Sequence, residues 1–116
     1  MPEPFWNSAE VRFIDYDQTL RNLRRAGAEA KAAYPEIVKV LLFGSLVNGT
    51  WTADSDADLI VVVRKELSGF SSRSPYYIFA EGIATDSLIY SETEFERLSR
   101  DPESFLAQNL PTAIEL

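Results

Sequence analysis

The stretch LLFGSLVNGTWTADSDADLIVVV, from Leu41 to Val63, decides how this chain folds. It begins within a short apolar run, Val40 to Phe43, and ends with a second run, Leu59 to Val63, that is rich in β-branched residues. Such runs are typical of strands that are buried on both faces of a sheet. The residues between them follow the pattern G-S-x10-D-x-D, which predicts a strand, a tight turn, a loop and a second strand.

The glycine and serine of this pattern are suited to binding an anion. Gly44 has no Cβ, so the backbone can turn sharply there and bring N–H groups close to a phosphate. Ser45 adds a hydroxyl donor, and a short helix that begins at Ser45 would point its positive end at the same place. We therefore expect Gly44 and Ser45 to bind phosphate groups.

The two aspartates are suited to binding a cation. Asp56 and Asp58 lie two residues apart at the start of a strand, so alternation directs both carboxylates to one face, where they repel each other. A hard divalent cation relieves this repulsion, and Mg²⁺ binds a few carboxylate oxygens while water and substrate phosphates fill its other positions. Each residue alone would more often belong to an ordinary turn or a solvated loop, and the spacing of all four favours a nucleotide site.

Composition excludes several classes of protein. The chain has 116 residues, no cysteine and no histidine, so disulfides, thiolate metal sites and catalysis by histidine are excluded and carboxylates must carry the chemistry. The net charge of −7 disfavours a protein that mainly grips nucleic acid. The length suits one domain over residues 1–116, and the absence of a signal peptide or a membrane-spanning run predicts a cytoplasmic protein.

Patterns outside the central stretch predict further helices and strands. Leu20, Leu23 and Ala30 recur at helical spacing, which predicts a helix from Asp17, its expected N-cap, to Tyr34. Arg21 and its basic neighbours form an outer face that is interpreted as solvated, with a partner or RNA contact as the alternative. The remaining strands are expected at 11–15, as a short edge strand, at 37–43, in the core, and at 83–90. A mobile loop at 64–74 is expected at the rim of the site, followed by a helix or strand at 76–80. Two helices are expected near the end, one at 91–100 that Ser91 and Glu94 open as a capping box, and one from 101 to about 110 with Pro102 in its first turn.

The residues Gly44, Ser45, Gly49, Ser55, Asp56, Asp58 and Leu59 have the order and spacing of a known signature. On these residues the chain resembles the nucleotidyltransferases of the DNA polymerase β superfamily, in particular the minimal nucleotidyltransferases of prokaryotes. The resemblance implies an α/β fold in which helices flank a small mixed sheet. Trp51, in the loop between the motifs, is interpreted as a cap on the core, with stacking on the nucleotide as the alternative.

The resemblance also implies a mechanism. The family takes a third acidic residue from a neighbouring strand, and Asp86 is the matching position, with Glu81 as the alternative. Asp56, Asp58 and Asp86 would hold two Mg²⁺ ions about 4 Å apart. Gly44 and Ser45 would hold the terminal phosphates of ATP, and Asp86 would take the proton from the attacking hydroxyl.

The acceptor is not identified by these residues. Larger relatives carry an added helical domain for the acceptor, whereas minimal members commonly act with a HEPN-domain toxin and transfer AMP to it as antitoxins. The resemblance therefore implies a HEPN-like protein as partner, in a possible homo- or hetero-oligomer, and neither nucleic acid nor membrane as the main partner. The alternative is a protein without catalysis that binds nucleotide or neutralises its partner by binding.

Overall fold

A four-stranded mixed sheet organises the part of the chain that the computed structural model describes, residues 15–52 and 54–116. The strands are β1 (Ile37–Phe43), β2 (Ala57–Val63), β3 (Thr85–Ser91) and β4 (Ile114–Glu115), and their order across the sheet is β3-β2-β1-β4. β1 runs antiparallel to β2 and β4, whereas β2 and β3 are parallel. The predicted edge strand at 11–15 lies outside the described residues except for its last position.

Both faces of the central strands are buried, as the two apolar runs predicted. Alternate residues of β1 and β2 form two separate cores, because successive side chains of a strand point to opposite faces. The first face packs beneath the long helix α1 (Tyr16–Ala33), and the second packs against helices near the end of the chain. On the first face lie Val40, Leu42, Leu59, Val61 and Val63, and on the second lie Leu41, Phe43, Ile60 and Val62.

Helix α1 has the predicted length but begins earlier. Asp15, and not the predicted Asp17, is the N-cap, since its Oδ1 accepts a hydrogen bond of 3.0 Å from the N–H of Gln18. Leu23 is fully buried against the first face of the sheet. Trp51 packs on this same core and stacks on Tyr16 at 6.0 Å between ring centres, which agrees with its interpretation as a cap.

The segment between β2 and β3 is more ordered than a loop. After α2 (Ser45–Asn48), which was expected as a short helix, the chain forms β2 and then a further short helix, α3 (Phe70–Arg73). The residues at 76–80 are neither a full helix nor a strand: a 3₁₀ turn ends at Tyr76, the next three residues lie outside any helix or strand, and Ala80 bridges to Ile83. The predicted loop at 64–74 is therefore wrong over its second half.

Two helices complete the fold. α4 (Glu92–Ser99) begins with the predicted capping box, in which Ser91 Oγ accepts from the N–H of Glu94 and the Ser91 N–H donates to Glu94 Oε1. α5 (Phe105–Asn109) begins later than predicted. The residues at 101–104 form a turn, and the hydroxyl of Ser104, which accepts from the N–H of Ala107, sets the start of the helix.

Side chains cover the outer edge of β3, which has no neighbouring strand among the described residues. The hydroxyl of Tyr77 donates to the carbonyl of Thr85, and Arg73 Nη1 donates to the carbonyl of Ile89 at 2.8 Å. At the opposite edge of the sheet, β4 pairs with only two residues of β1. No helix within the described ranges is long and apolar enough to cross a membrane.

Candidate active site

The second residues of β2 and β3 are both aspartates, and the sheet places them side by side. In the parallel register, Asp58 is the direct partner of Asp86. Ile60 and Leu88, two positions further along each strand, belong to the second face. Because residues two apart in a strand share a face, both carboxylates lie on this second face, at the end where the strands begin.

Asp56 precedes β2 and contributes a further negative charge. Burial raises the pKa of the half-buried Asp58, and the charges of Asp86 and then Asp56 raise this pKa further. Asp56 and Asp86 themselves are exposed. Two of the three predicted acidic residues, Asp56 and Asp86, thus act on the third, Asp58.

These carboxylates are not neutralised by the residues around them. Within residues 15–52 and 54–116, none of the three takes part in a salt bridge or accepts a hydrogen bond from another residue. In the same ranges, no group of three or more acidic residues is close enough to hold a metal ion by itself. The first finding fits Mg²⁺, which one or two carboxylates usually hold together with substrate phosphates.

Gly44 closes the other side of Asp58. It follows β1 with φ 84° and ψ −150°, a combination that is essentially confined to glycine. A Cβ built on Gly44 would overlap Oδ2 of Asp58, so any other residue here would force this carboxylate to move. Ser45 follows directly as the first residue of α2. From the end of β1 across the sheet to β3, the residues of the site therefore lie in the order Gly44 and Ser45, Asp58, Asp86.

The alternative third carboxylate lies elsewhere. Glu81 is exposed and precedes β3, and its backbone carbonyl accepts a 3.1 Å hydrogen bond from Asn22 on α1, which covers the first face. Asp86 is the one that lies across from Asp58. The four predicted residues Gly44, Asp56, Asp58 and Asp86 are thus brought together at one end of β2, with Ser45 beside them.

A cavity next to this group was not predicted from the sequence. It has a volume of about 710 Å³, Asp86 forms part of its wall, and Phe70, Tyr77 and Phe79 line it. The sequence did hold a signal, because Phe70 stands in the segment 64–74, which is otherwise rich in serine and charge, and Phe79 stands in the aromatic run at 76–80. The pattern predicts a loop at 64–74 and a helix or strand at 76–80, and neither prediction brings the two phenylalanines together.

Comparison with known proteins bears on this arrangement. A family model for the nucleotidyltransferase domain matches residues 23–108, which include every residue of the site. No curated protein matches the chain significantly. The fold is similar to that of a candidate nucleotidyltransferase from Sulfolobus solfataricus, known from a crystal structure at 1.40 Å, with 23% identity over 71% of this chain and 75% of that chain and a TM-score of 0.56. At this identity the likeness bears on the fold alone, and it confirms the predicted fold class.

Proposed function

Since the chain belongs to the family of nucleotidyltransferase domains, we propose that it transfers AMP from ATP to a hydroxyl group of a partner protein. Membership of this family confirms the resemblance on which the sequence interpretation was based. Nucleotidyltransferase domains generally use a nucleoside triphosphate and a divalent metal. The observation that carries the proposal is the row formed by Gly44, Asp58 and Asp86, in which carboxylates without a partner among the described residues lie next to a glycine whose missing Cβ leaves Asp58 room.

The reaction assigns one task to each part of this row. The oxygen of the acceptor hydroxyl forms a bond to the α-phosphorus of ATP, and the bond from that phosphorus to the bridging oxygen breaks, so pyrophosphate leaves with the electron pair. Gly44 and Ser45 bind the β and γ phosphates and keep the leaving group in line. The proton of the attacking hydroxyl passes to the carboxylate of Asp86, because the chain contains no histidine that could accept it.

The carboxylates of Asp56, Asp58 and Asp86 are the residues that would hold Mg²⁺, as two ions. When bound, the ions supply neutralisation of the phosphate charge and activation of the attacking oxygen. Burial raises the pKa of Asp58 most, and the charges of Asp86 and Asp56 raise it further; a bound cation would relieve this charge repulsion.

The proposed partner is a HEPN-like toxin, which this chain modifies as an antitoxin in the cytoplasm. In this proposal residues 1–116 form one domain, and the partner supplies the acceptor hydroxyl, that of a tyrosine, in a hetero-oligomer. The net charge of −7 would accelerate association with a basic partner such as an RNA-cleaving enzyme.

The experiment is transfer to the co-expressed partner, measured by the intact mass of both chains with and without ATP and Mg²⁺. We expect the mass of one AMP group per transfer on the partner, and no addition with Asp56→Asn, Asp58→Asn or Ser45→Ala. Binding to the partner should survive these substitutions, because they remove chemistry and not the surface of contact.

The rival function, neutralisation by binding alone, predicts a different result. If the double variant Asp56→Asn/Asp58→Asn protects cells from the partner as fully as the unchanged chain, and no mass addition appears with either, the enzymatic role is wrong. If the double variant and the unchanged chain protect cells equally, and the unchanged chain also adds mass to the partner, then transfer occurs but binding alone is enough for protection.

A further inference from the structure

The cavity beside Asp86 is bounded by aromatic side chains that the described part of the chain leaves uncovered. Phe70 is 85% exposed and Phe79 is 78% exposed, which is unusual for phenylalanine, and both line the cavity. Tyr77, Leu88 and Tyr90 line the rest of it, with the carboxylate residue Asp86 in the wall. Its volume of about 710 Å³ lies within the range of ligand-binding pockets.

The aromatic wall of the cavity, formed by Phe70, Tyr77 and Phe79, is fixed to the sheet. Arg73, at the end of α3, donates two hydrogen bonds to the carboxylate of Glu94, at 2.9 and 2.8 Å, and a third to the carbonyl of Ile89. The hydroxyl of Tyr77 bonds to the carbonyl of Thr85, next to Asp86. The segment that carries Phe70 is therefore tied to β3 and α4, so the aromatic surface is formed before any ligand arrives.

Charge decides which ligands this wall can bind. The guanidinium of Arg73 is compensated by Glu94, and this pairing raises the pKa of Arg73 and lowers that of Glu94 to about 2. The wall thus offers no uncompensated cation for a phosphate, and Asp86 would repel one. A nucleic acid acceptor is disfavoured on both grounds.

The position of the cavity matches the side from which an acceptor attacks. The strand order places the end of β1, with Gly44, on one side of Asp58, and β3, with Asp86 and the cavity, on the other. Neighbouring strands are about 4.8 Å apart. In-line displacement requires the attacking oxygen to lie opposite the leaving pyrophosphate, so a leaving group held at Gly44 places the acceptor on the Asp86 side.

We propose that this cavity is the acceptor site, and that it binds a polypeptide whose hydroxyl-bearing residue is flanked by large apolar side chains. The proposal rests on the proposed function, because it uses the direction of transfer. The apolar flanking residues pack on Phe70 and Phe79, and the hydroxyl lies at the Asp86 end of the cavity.

The test measures binding separately from transfer. Two labelled peptides of equal length and charge serve as probes, one with the core Leu-Phe-Tyr-Leu and the other with the core Ser-Asn-Tyr-Ser, and their affinities are measured by fluorescence anisotropy without nucleotide. We expect the apolar peptide to bind at least about tenfold more tightly than the polar one, because burial of one large apolar side chain stabilises by roughly this factor. Equal affinities would overturn the proposal.

Substitutions locate the binding surface. Phe70→Ser and Phe79→Ser should each weaken binding of the apolar peptide about tenfold and leave the polar peptide unaffected. The matched control is Phe105→Ser, since Phe105 is also an exposed phenylalanine, at 51%, but packs on Phe43 outside the cavity. If the control weakens binding as much as the cavity substitutions do, or if neither cavity substitution weakens it, the proposed site is wrong.

Further arms separate this proposal from the function on which it rests. Asp58→Asn should bind the apolar peptide as the unchanged chain does, and with ATP and Mg²⁺ only the unchanged chain should add AMP to the peptide tyrosine. Normal binding without any transfer would contradict the enzymatic role and leave the binding site intact. The remaining outcome is a dimer in which a second copy of the chain occupies the cavity through Phe79. A dimer that Phe79→Ser dissociates and that excludes the peptide would overturn the proposal.

Discussion

Two glycines with nearly equal φ angles make the role of Gly44 testable. Gly44 and Gly49 have φ of 84° and 82°, but only Gly44 would bring a Cβ into a neighbouring atom, Oδ2 of Asp58. Gly49→Ala should therefore cost about 1–2 kcal/mol of stability and keep the response of the melting temperature to ATP and Mg²⁺. Gly44→Ala should cost more stability than Gly49→Ala, because ψ is −150° at Gly44 and 11° at Gly49, and it should lose that response, because the Cβ displaces the central carboxylate. A Gly44→Ala chain that still responds fully would show that this close approach is unimportant.

Asp58 should separate folding from function. Its raised pKa means that the charged form is disfavoured in the folded chain, so Asp58→Asn should leave the melting temperature without nucleotide unchanged or higher. The unchanged chain should gain about 2.7 kcal/mol at a nucleotide concentration of one hundred times Kd, and the variant should gain none of it. Differential scanning fluorimetry measures both, with Asp17→Asn, an exposed aspartate on α1, as control. Unfolding of Asp58→Asn would mean that the aspartate is structural.

At the scale of elements, one ion pair joins α3 to α4. Arg73 and Glu94 are both about three-quarters buried and pair at 2.8 Å, whereas Glu92, in the same helix, pairs with a largely exposed Arg64. Glu94→Gln keeps an acceptor for the N–H of Ser91 but loses the charge, so we expect a cost of about 2 kcal/mol. Glu92→Gln should cost less than about 0.5 kcal/mol. Urea unfolding at neutral pH measures both, and equal costs would contradict the assignment.

The same pair predicts a dependence on pH. The pKa of Glu94 is lowered from 4.5 to about 2 in the folded chain. The stabilisation is therefore complete above about pH 4.5, where the unfolded chain is also ionised, and is lost as the pH falls through about 2. The difference in unfolding free energy between the unchanged chain and Glu94→Gln should be smaller at about pH 3 than at about pH 7. A difference that does not change with pH would mean that charge is not its cause.

Elements with strong local signals were predicted and those fixed by distant contacts were not. Apolar periodicity and cap residues lie within each of the elements that the sequence predicted: the two central strands, α1 and the capping box at Ser91. The start of α5 was missed because Pro102 suggested an earlier one, whereas the hydroxyl of Ser104 is held by the carbonyl of Leu98 at 2.6 Å. β4 was missed since two residues carry no periodicity, and it forms only by pairing with β1.

At the scale of the molecule, two cores share one pair of strands. Leu23 lies in the core on the first face and Leu106 in the core on the second, and each is 1% exposed. Leu23→Ala and Leu106→Ala should each cost about 2–5 kcal/mol. Since β1 and β2 form part of both cores, each variant should still unfold in one transition that is the same by circular dichroism and by tryptophan fluorescence. Two separate transitions would mean that the faces unfold independently and that the chain is not one domain.

The residues that form the candidate site could be predicted from the sequence, but their surroundings could not. Asp56 and Asp58 could be found from local spacing, and Asp86 only through the resemblance, because nothing local shows that it lies across from Asp58. The cavity depends on how α3 packs against β3, which is set by the contact of Arg73 with Glu94, 21 positions later. Contacts of this range leave no periodic pattern in the sequence.

The covered edge of β3 has a consequence for how this chain behaves at high concentration. An uncovered edge lets identical chains add to one another as further strands, and segments as apolar as Leu59 to Val63 readily form fibrils when they are exposed. Here Tyr77 and Arg73 occupy the carbonyls that such an addition would use, at Thr85 and Ile89. Arg73→Ala should thus make the chain more prone to form fibrils that bind thioflavin T. The hydrogen bonds that hold the aromatic wall in place therefore also protect the chain from aggregation.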